Sequence, residues 1–156
     1  MKITRIRIYK TPLPYVGRAY VWGAGNAIET AMASVVVIDT DAGVQGCGEF
    51  TPCGENYMVA HSEGVEALAR LIAPHLLGED PRQVGRIEQL LDHLVQGHGY
   101  AKAPVDAACW DILGKTCDQP VWMLLGGKLT DGAPMYRVAP QKATDQTLAE
   151  MQRYRD

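Results

Sequence analysis

The sequence predicts an α+β fold: a three-stranded antiparallel meander, then a layer of helices, then the start of a separate β/α unit. Three observations predict it. Glu29 to Thr40 contains the consecutive apolar run Val35, Val36, Val37 and Ile38, which reads as a strand covered on both faces. Apolar stripes at helical spacing follow between Ser62 and Leu125. Pro134 to Ala139 then reads as one more strand, and Thr144 onwards as a helix. That order is odd for one α+β domain and makes sense if a new unit begins near Ala133.

The elements follow in chain order. Residues 2–9 carry Ile3, Ile6, Ile8 and Tyr9 among basic residues, a first strand that Thr11-Pro12-Leu13-Pro14 ends. Residues 15–28 form a loop rich in glycine and aromatics. Its Gly23-Ala24-Gly25 lacks the third glycine and the helix that a dinucleotide loop needs. Asp39-Thr40-Asp41-Ala42-Gly43 is a turn cluster, and Val44 to Phe50 returns as a third strand. Gly46 and Gly48 within it point to a close backbone approach. Residues 51–61 are a second loop.

Ser62 is placed to cap a helix that runs to about Ala73, with Val65, Leu68, Ala69 and Ile72 on one face. Pro74 and Gly78 close it. Asp80 as N-cap and Pro81 in the first turn open the next helix, with Val84, Ile87, Leu91 and Leu94 as its stripe. Gln96 to Tyr100 breaks the pattern. From Val105 a third helix buries Val105, Ala108, Cys109, Ile112 and Leu113, and Asp111 and Lys115 pair at i,i+4. Pro120 suits the first turn of a short helix. Val121 to Leu125 is so apolar that it needs cover on several sides, and Gly126-Gly127 stops it in the left-handed conformation.

The bounds are those of an ordinary globular chain. Its 156 residues are 47% hydrophobic and 21% charged, with a formal net charge of -3. Lys and Arg are scattered, which argues against a nucleic-acid partner. No apolar run is long enough for a membrane helix, and MKITRIRIYK lacks the core of a signal peptide, so a cytoplasmic location is expected. Cys47, Cys53, Cys109 and Cys117 form no Cys-x-x-Cys and have no histidine at zinc spacing, so reduced, mostly buried thiols are expected.

One 23-residue string carries more. In VDAACWDILGKTCDQPVWMLLGG, Asp106, Trp110-Asp111, Gly114-Lys115, Pro120 and Leu124-Leu125-Gly126-Gly127 stand at a joint spacing. This resembles the signature of the mandelate racemase/muconate lactonizing enzyme family, within the enolase superfamily. The resemblance implies an enolase-like capping domain over residues 1–127, then a linker and the first strand and helix of an incomplete (β/α) barrel over 128–156. A complete barrel needs roughly 200–250 residues. The family removes the proton alpha to a carboxylate, with an enediolate held by a divalent metal and Lys or His as base. The resemblance places the Mg²⁺ ligands and the bases on later barrel strands, so this chain is expected to hold no catalytic and no metal-ligating residue. Glu49, Asp106 and Lys115 are not promoted to those roles, and a local hydrogen bond is expected of Glu49. The chain alone is expected to be inactive.

The same resemblance gives the two loops a task. Family loops equivalent to residues 15–28 and 51–61 close over the barrel mouth and contact the substrate. Tyr20, Trp22 and Tyr57 are therefore the candidate substrate-binding residues. Gly97-His98-Gly99-Tyr100-Ala101-Lys102-Ala103 and Gly54-Glu55-Asn56-Tyr57 resemble members acting on proline derivatives, the hydroxyproline epimerases and cis-3-hydroxyproline dehydratases. Tyr57 suits a ring ammonium by cation–π attraction. His98 and Tyr100 are read as capping a helix and packing between domains. The implied partners are a small carboxylate and, in the intact enzyme, further copies of the chain. Two alternatives stand beside this reading. One is a binding module that kept the cap without the barrel; the other is a muconate-type cycloisomerase or a dipeptide epimerase. The apolar stripe Leu148, Met151 and Tyr154 needs a covering surface that a lone cap does not supply, which favours the start of a barrel.

Overall fold

A computed structural model describes all residues except 17–18, 55–56, 137–142 and 156. Its main sheet has three antiparallel strands in the order β1 (Ile3–Pro14), β4 (Thr30–Thr40) and β5 (Gln45–Phe50). The expected meander is therefore present. Strand β1 runs well past residue 9, with Pro12 opposite Met32 and Pro14 opposite Thr30. The prolines do not end it because β1 is an edge strand, where a missing N–H need cost no ladder bond. The residues read as a loop before β4 contain a two-stranded hairpin, β2 (Tyr20–Trp22) with β3 (Asn26–Ile28), joined by a 3-10 turn.

In β4 the side chains alternate. Val36 and Ile38 are fully buried, whereas Val35 and Val37 are half-buried on the other face. The run of four apolar residues is thus not covered equally on both faces, because the helices lie on one side of the sheet only. Those helices are α1 (Ser62–Leu76), α2 (Val84–Leu94) and α3 (Gly99–Cys117). Val65, Ile72, Ile87, Leu91, Val105 and Ile112 join Ile3, Val36 and Ile38 in one core.

Helix boundaries differ from expectation in ways that have local causes. His61, not Ser62, is the N-cap of α1, and Ser62 is instead buried in the first turn. Pro74 lies inside α1, on its exposed side. There the carbonyl it leaves without an amide partner can meet water, so the helix continues to Leu76. Gly78 then donates to the Ile3 carbonyl and Ile3 to that of Glu79, both at 2.9 Å, stitching the end of α1 to β1.

Asp80 is not the N-cap of α2; that position is Gln83. Asp80 accepts from the Arg82 amide at 3.1 Å and from its guanidinium at 2.7 Å, so Asp80-Pro81-Arg82 is a turn ahead of the helix. Arg82 holds the Asp80 carboxyl down at about 2. A carboxyl depressed by folding stabilises above its unfolded value and loses that contribution as pH falls through its folded value. Asp80→Asn should therefore lower Tm at pH 7, with the gap to the parent closing between about pH 4 and pH 2. Thermal melts across that range check it, and a gap independent of pH would assign the effect to the turn geometry alone.

Helix α3 begins at Gly99, six residues before Val105, and carries Pro104 in its second turn. Its N-cap residue, His98, is left-handed at φ 52° and makes no side-chain cap bond, so its expected capping role is one of position only. The packing of α3 on β5 is unusually close. A Cβ on Gly46 would meet the Ala108 carbonyl oxygen, and one on Gly48 that of Pro104. Helix α4 (Val121–Leu124) follows, with Pro120 one residue ahead of it as N-cap. Contrary to expectation α4 buries nothing: Trp122, Met123 and Leu125 are 39%, 48% and 65% exposed, because no described element lies over them. Gly126 and Gly127 take positive φ as expected, at 105° and 97°.

Pro134 to Tyr136 forms no strand, and the remainder of that expected strand lies outside the described residues. Helix α5 (Thr144–Arg155) is present, with Leu148 and Met151 exposed. All four cysteines are free, but only Cys109 is buried; Cys47 and Cys117 are exposed because they fall on the outer sides of β5 and α3. Burial, then the nearby Asp106, pushes the Cys109 thiol up to about 12, which leaves it inert at neutral pH. Among the described residues no helix is long and apolar enough to cross a membrane.

Candidate functional site

Two segments that are distant in sequence meet at one end of the sheet. The first is the β2–β3 hairpin. Period-two alternation puts Tyr20 and Trp22 on the same side of it, and their rings stack at 5.9 Å. Gly25 at φ 75° makes the turn, and the Asn26 side-chain amide donates to the Gly23 carbonyl at 2.7 Å. The second is the segment after β5. Gly54 at φ 96° reverses the chain, and the Tyr57 amide donates to its carbonyl at 3.1 Å. Tyr57 thereby meets Trp22 edge-on at 5.6 Å and Tyr20 at 6.1 Å.

The structure thus brings the three candidate residues into one aromatic cluster. Tyr57 keeps 51% of its surface exposed. Tyr15, which sequence reasoning missed, extends the cluster by stacking on Tyr20 at 6.0 Å. Its hydroxyl lies 3.8 Å from the Cys53 thiol, which ties the hairpin side to the second loop. The signal for the hairpin was available: aromatics alternate about a short glycine turn.

The cluster is suited to contact rather than proton transfer. The hydrogen bond with Tyr57 raises the Tyr20 phenol above its usual value, and burial does the same for Tyr15, with Cys53 adding to it. A phenol already titrating near pH 10 is thereby kept neutral under ordinary conditions. Exposed ring faces remain, and these attract apolar groups and cations.

The acidic and basic residues of the 23-residue string do structural work. Asp111 accepts from the Cys47 amide of β5 at 2.9 Å and from Lys115 at 2.7 Å. Lys115 also donates to the Gln45 carbonyl at 2.8 Å. The pair thus satisfies backbone groups that the edge strand β5 would otherwise leave open. Glu49 accepts from the Thr51 hydroxyl at 2.6 Å, the expected local bond. Asp106 is partly buried and its carboxyl is raised, by burial first and by Glu88 second. Lys102 is buried against α2, where it donates to Asp92 at 2.6 Å. Among the described residues no group of three or more His, Cys, Asp or Glu could hold a metal ion.

Residues 18–126 match the family model described as mandelate racemase/muconate lactonizing enzyme, N-terminal domain. The chain is 40% identical over 154 residues to cis-3-hydroxy-L-proline dehydratase of Roseibium aggregatum, covering 99% of this chain and 42% of that protein. It is 76% identical to a crystal structure of a mandelate racemase/muconate lactonizing enzyme from Roseovarius nubinhibens ISM, with TM-score 0.92 over 99% of this chain and 41% of that one. A second crystal structure from the same organism is of an enolase superfamily member complexed with magnesium. It is 36% identical, with TM-score 0.89 over 99% of this chain and 41% of that one. The chain thus spans about two-fifths of the length of the proteins it matches. With its antiparallel sheet, its helical layer and a family match across most of its length, the chain belongs to the mandelate racemase/muconate lactonizing enzyme family of the enolase superfamily.

Proposed function

We propose that this chain supplies the substrate-selecting cap of an enzyme that removes a proton alpha to a carboxylate. Residues 1–127 are the capping unit and 128–156 open a barrel. The reaction is a racemisation, epimerisation or dehydration of a small carboxylate, and a proline derivative is the favoured substrate class. The observation that carries this reading is the convergence of Tyr20, Trp22 and Tyr57 from two loops, with Tyr57 half open. Similarity to a cis-3-hydroxy-L-proline dehydratase supports the substrate class. A secondary ring ammonium beside exposed aromatic faces gains cation–π attraction.

In this reading the cap binds and orients substrate and keeps water from it, while acid–base groups and the magnesium supplied to the enediolate lie on the barrel. The test is deuterium exchange at the alpha carbon of cis-3-hydroxy-L-proline in D₂O with Mg²⁺. The chain alone should incorporate none, and a protein in which it precedes a complete barrel should incorporate it. Exchange by the chain alone would overturn the division of labour.

A further inference from the structure

We infer that His61 is a positioning residue for the segment that carries Tyr57, fixing its end while the imidazole is neutral and releasing it when protonated. Its consequence for substrate rests on the function proposed above; the switch itself does not. His61 is the last residue before α1, four residues after Tyr57. Its Nδ1 accepts from the Gly64 amide at 3.1 Å, an amide that also points at the His61 carbonyl at 3.2 Å. An accepting Nδ1 needs a free lone pair, so the neutral ring carries its hydrogen on Nε2. Protonation turns Nδ1 into a donor facing another donor. The side-chain cap is then lost.

A substitute partner stands ready. The Glu63 carboxylate lies 3.6 Å from Nδ1. Glu63 is itself approached by Lys10 of β1 at 3.5 Å and by the Ser62 hydroxyl at 3.2 Å, while Glu66 pairs with Lys10 at 3.2 Å and with Arg70 at 2.7 Å. From α3, the Tyr100 ring lies 6.2 Å from His61, with His98 beyond it at 5.8 Å from Tyr100. Positive charge at a helix N-terminus is disfavoured and Glu63 opposes that effect, so neighbouring groups balance the two states.

The first turn of α1 packs against α3: a Cβ on Gly64 would meet the Tyr100 hydroxyl. The ring itself can move. His61 borders a cleft of about 620 Å³ with Met58, Val59, Ala60, His98, Gly99 and Tyr100, and its side chain is 49% exposed, which leaves the imidazole room to move. Release of the cap therefore loosens the segment leading back through Ala60 and Met58 to Tyr57, not the core of α1.

The test is a pH titration of the ¹⁵N-labelled chain by NMR from pH 5 to 8. The Gly64 amide should titrate with the same midpoint as the His61 ring. Hydrogen-exchange protection of amides 57–61 and 64 should fall about five-fold below that midpoint, the size of one N-cap. His61→Asn keeps an acceptor that does not titrate. It should abolish the Gly64 titration and retain protection at low pH. His61→Ala should lower protection at every pH, and His98→Gln should leave the titration in place. A Gly64 amide that stays flat while the His61 ring titrates would overturn the inference, as would a titration that persists in His61→Asn. None of these readouts uses substrate, so a failure of Tyr57 to select substrate would leave them unaffected.

Discussion

Gly48→Val is expected to destabilise the chain by about 3 kcal/mol, the upper end of the usual overpacking cost. At this chain length that lowers Tm by about 6–12 °C. The size follows from what the new side chain would strike. A Cβ on Gly48 meets the carbonyl carbon and oxygen of Pro104 and the amide of Ala108, all backbone atoms of α3. No rotamer change relieves such a contact, so α3 must lift from β5 or β5 must leave the sheet. Lifting α3 also pulls the Asp111 and Lys115 bonds off Cys47 and Gln45. The better strand propensity of valine is worth less than about 1 kcal/mol and does not offset this. Gly85 is the control: it lies in α2 with nothing within 4 Å of a built Cβ. Gly85→Ala should stabilise by about 0.5–1 kcal/mol, because glycine is a poor helix former. Urea unfolding of both variants checks the pair. A Gly48→Val protein with parental stability would mean that α3 is not seated on β5.

That close approach was legible in the sequence, since glycines in a strand at i,i+2 mark one face that something must reach. What reaches it was not, because the partner lies more than fifty residues on. The same limit recurs elsewhere. The Asp111–Lys115 pair is visible from helical spacing, whereas its bonds to β5 depend on tertiary placement. Ser62 has the better intrinsic capping side chain, yet it is buried beneath Ser34, whose hydroxyl donates to the Ser62 carbonyl at 3.3 Å. His61 takes the cap instead. The sequence reads Pro12 and Pro74 as stops, yet each lies within an element. Proline removes one donor and crowds the preceding turn, which weakens an element without always ending it.

The candidate site shows the other side of this limit. Composition and spacing place Tyr20, Trp22 and Tyr57 on polar, glycine-rich loops and go no further. Their assignment to substrate comes from the family resemblance. Their mutual contact comes from the fold, since Gly54 reverses the second loop toward a hairpin that sequence reading took for irregular chain. Tyr15 and Cys53 escaped notice because the contact between them spans 38 residues.

Tyr57→Ala, made in a protein where this chain precedes a complete barrel, should cost about 1–3 kcal/mol in kcat/KM, or roughly 5- to 150-fold. The half-open ring offers the largest exposed face of the cluster, and its removal also strips an edge from Trp22 and a hydrogen bond from Tyr20. If substrate touches the ring equally in the ground and transition states, the loss appears in KM and leaves kcat nearly unchanged. Trp22→Ala should behave alike but less cleanly, because Trp22 supports both tyrosines. Neither phenol nor indole moves a proton readily at neutral pH, so alpha-proton exchange should continue at saturating substrate. Tyr57→Phe separates the two contributions of the side chain. It keeps the ring face and should retain most of the affinity for a ring ammonium, while losing only what the hydroxyl gives to Tyr20. The decisive measurement is deuterium incorporation by the folded variants across a substrate series. Complete loss of exchange would move these loops into the chemistry, and unchanged KM and kcat for every substrate would reduce the cluster to packing.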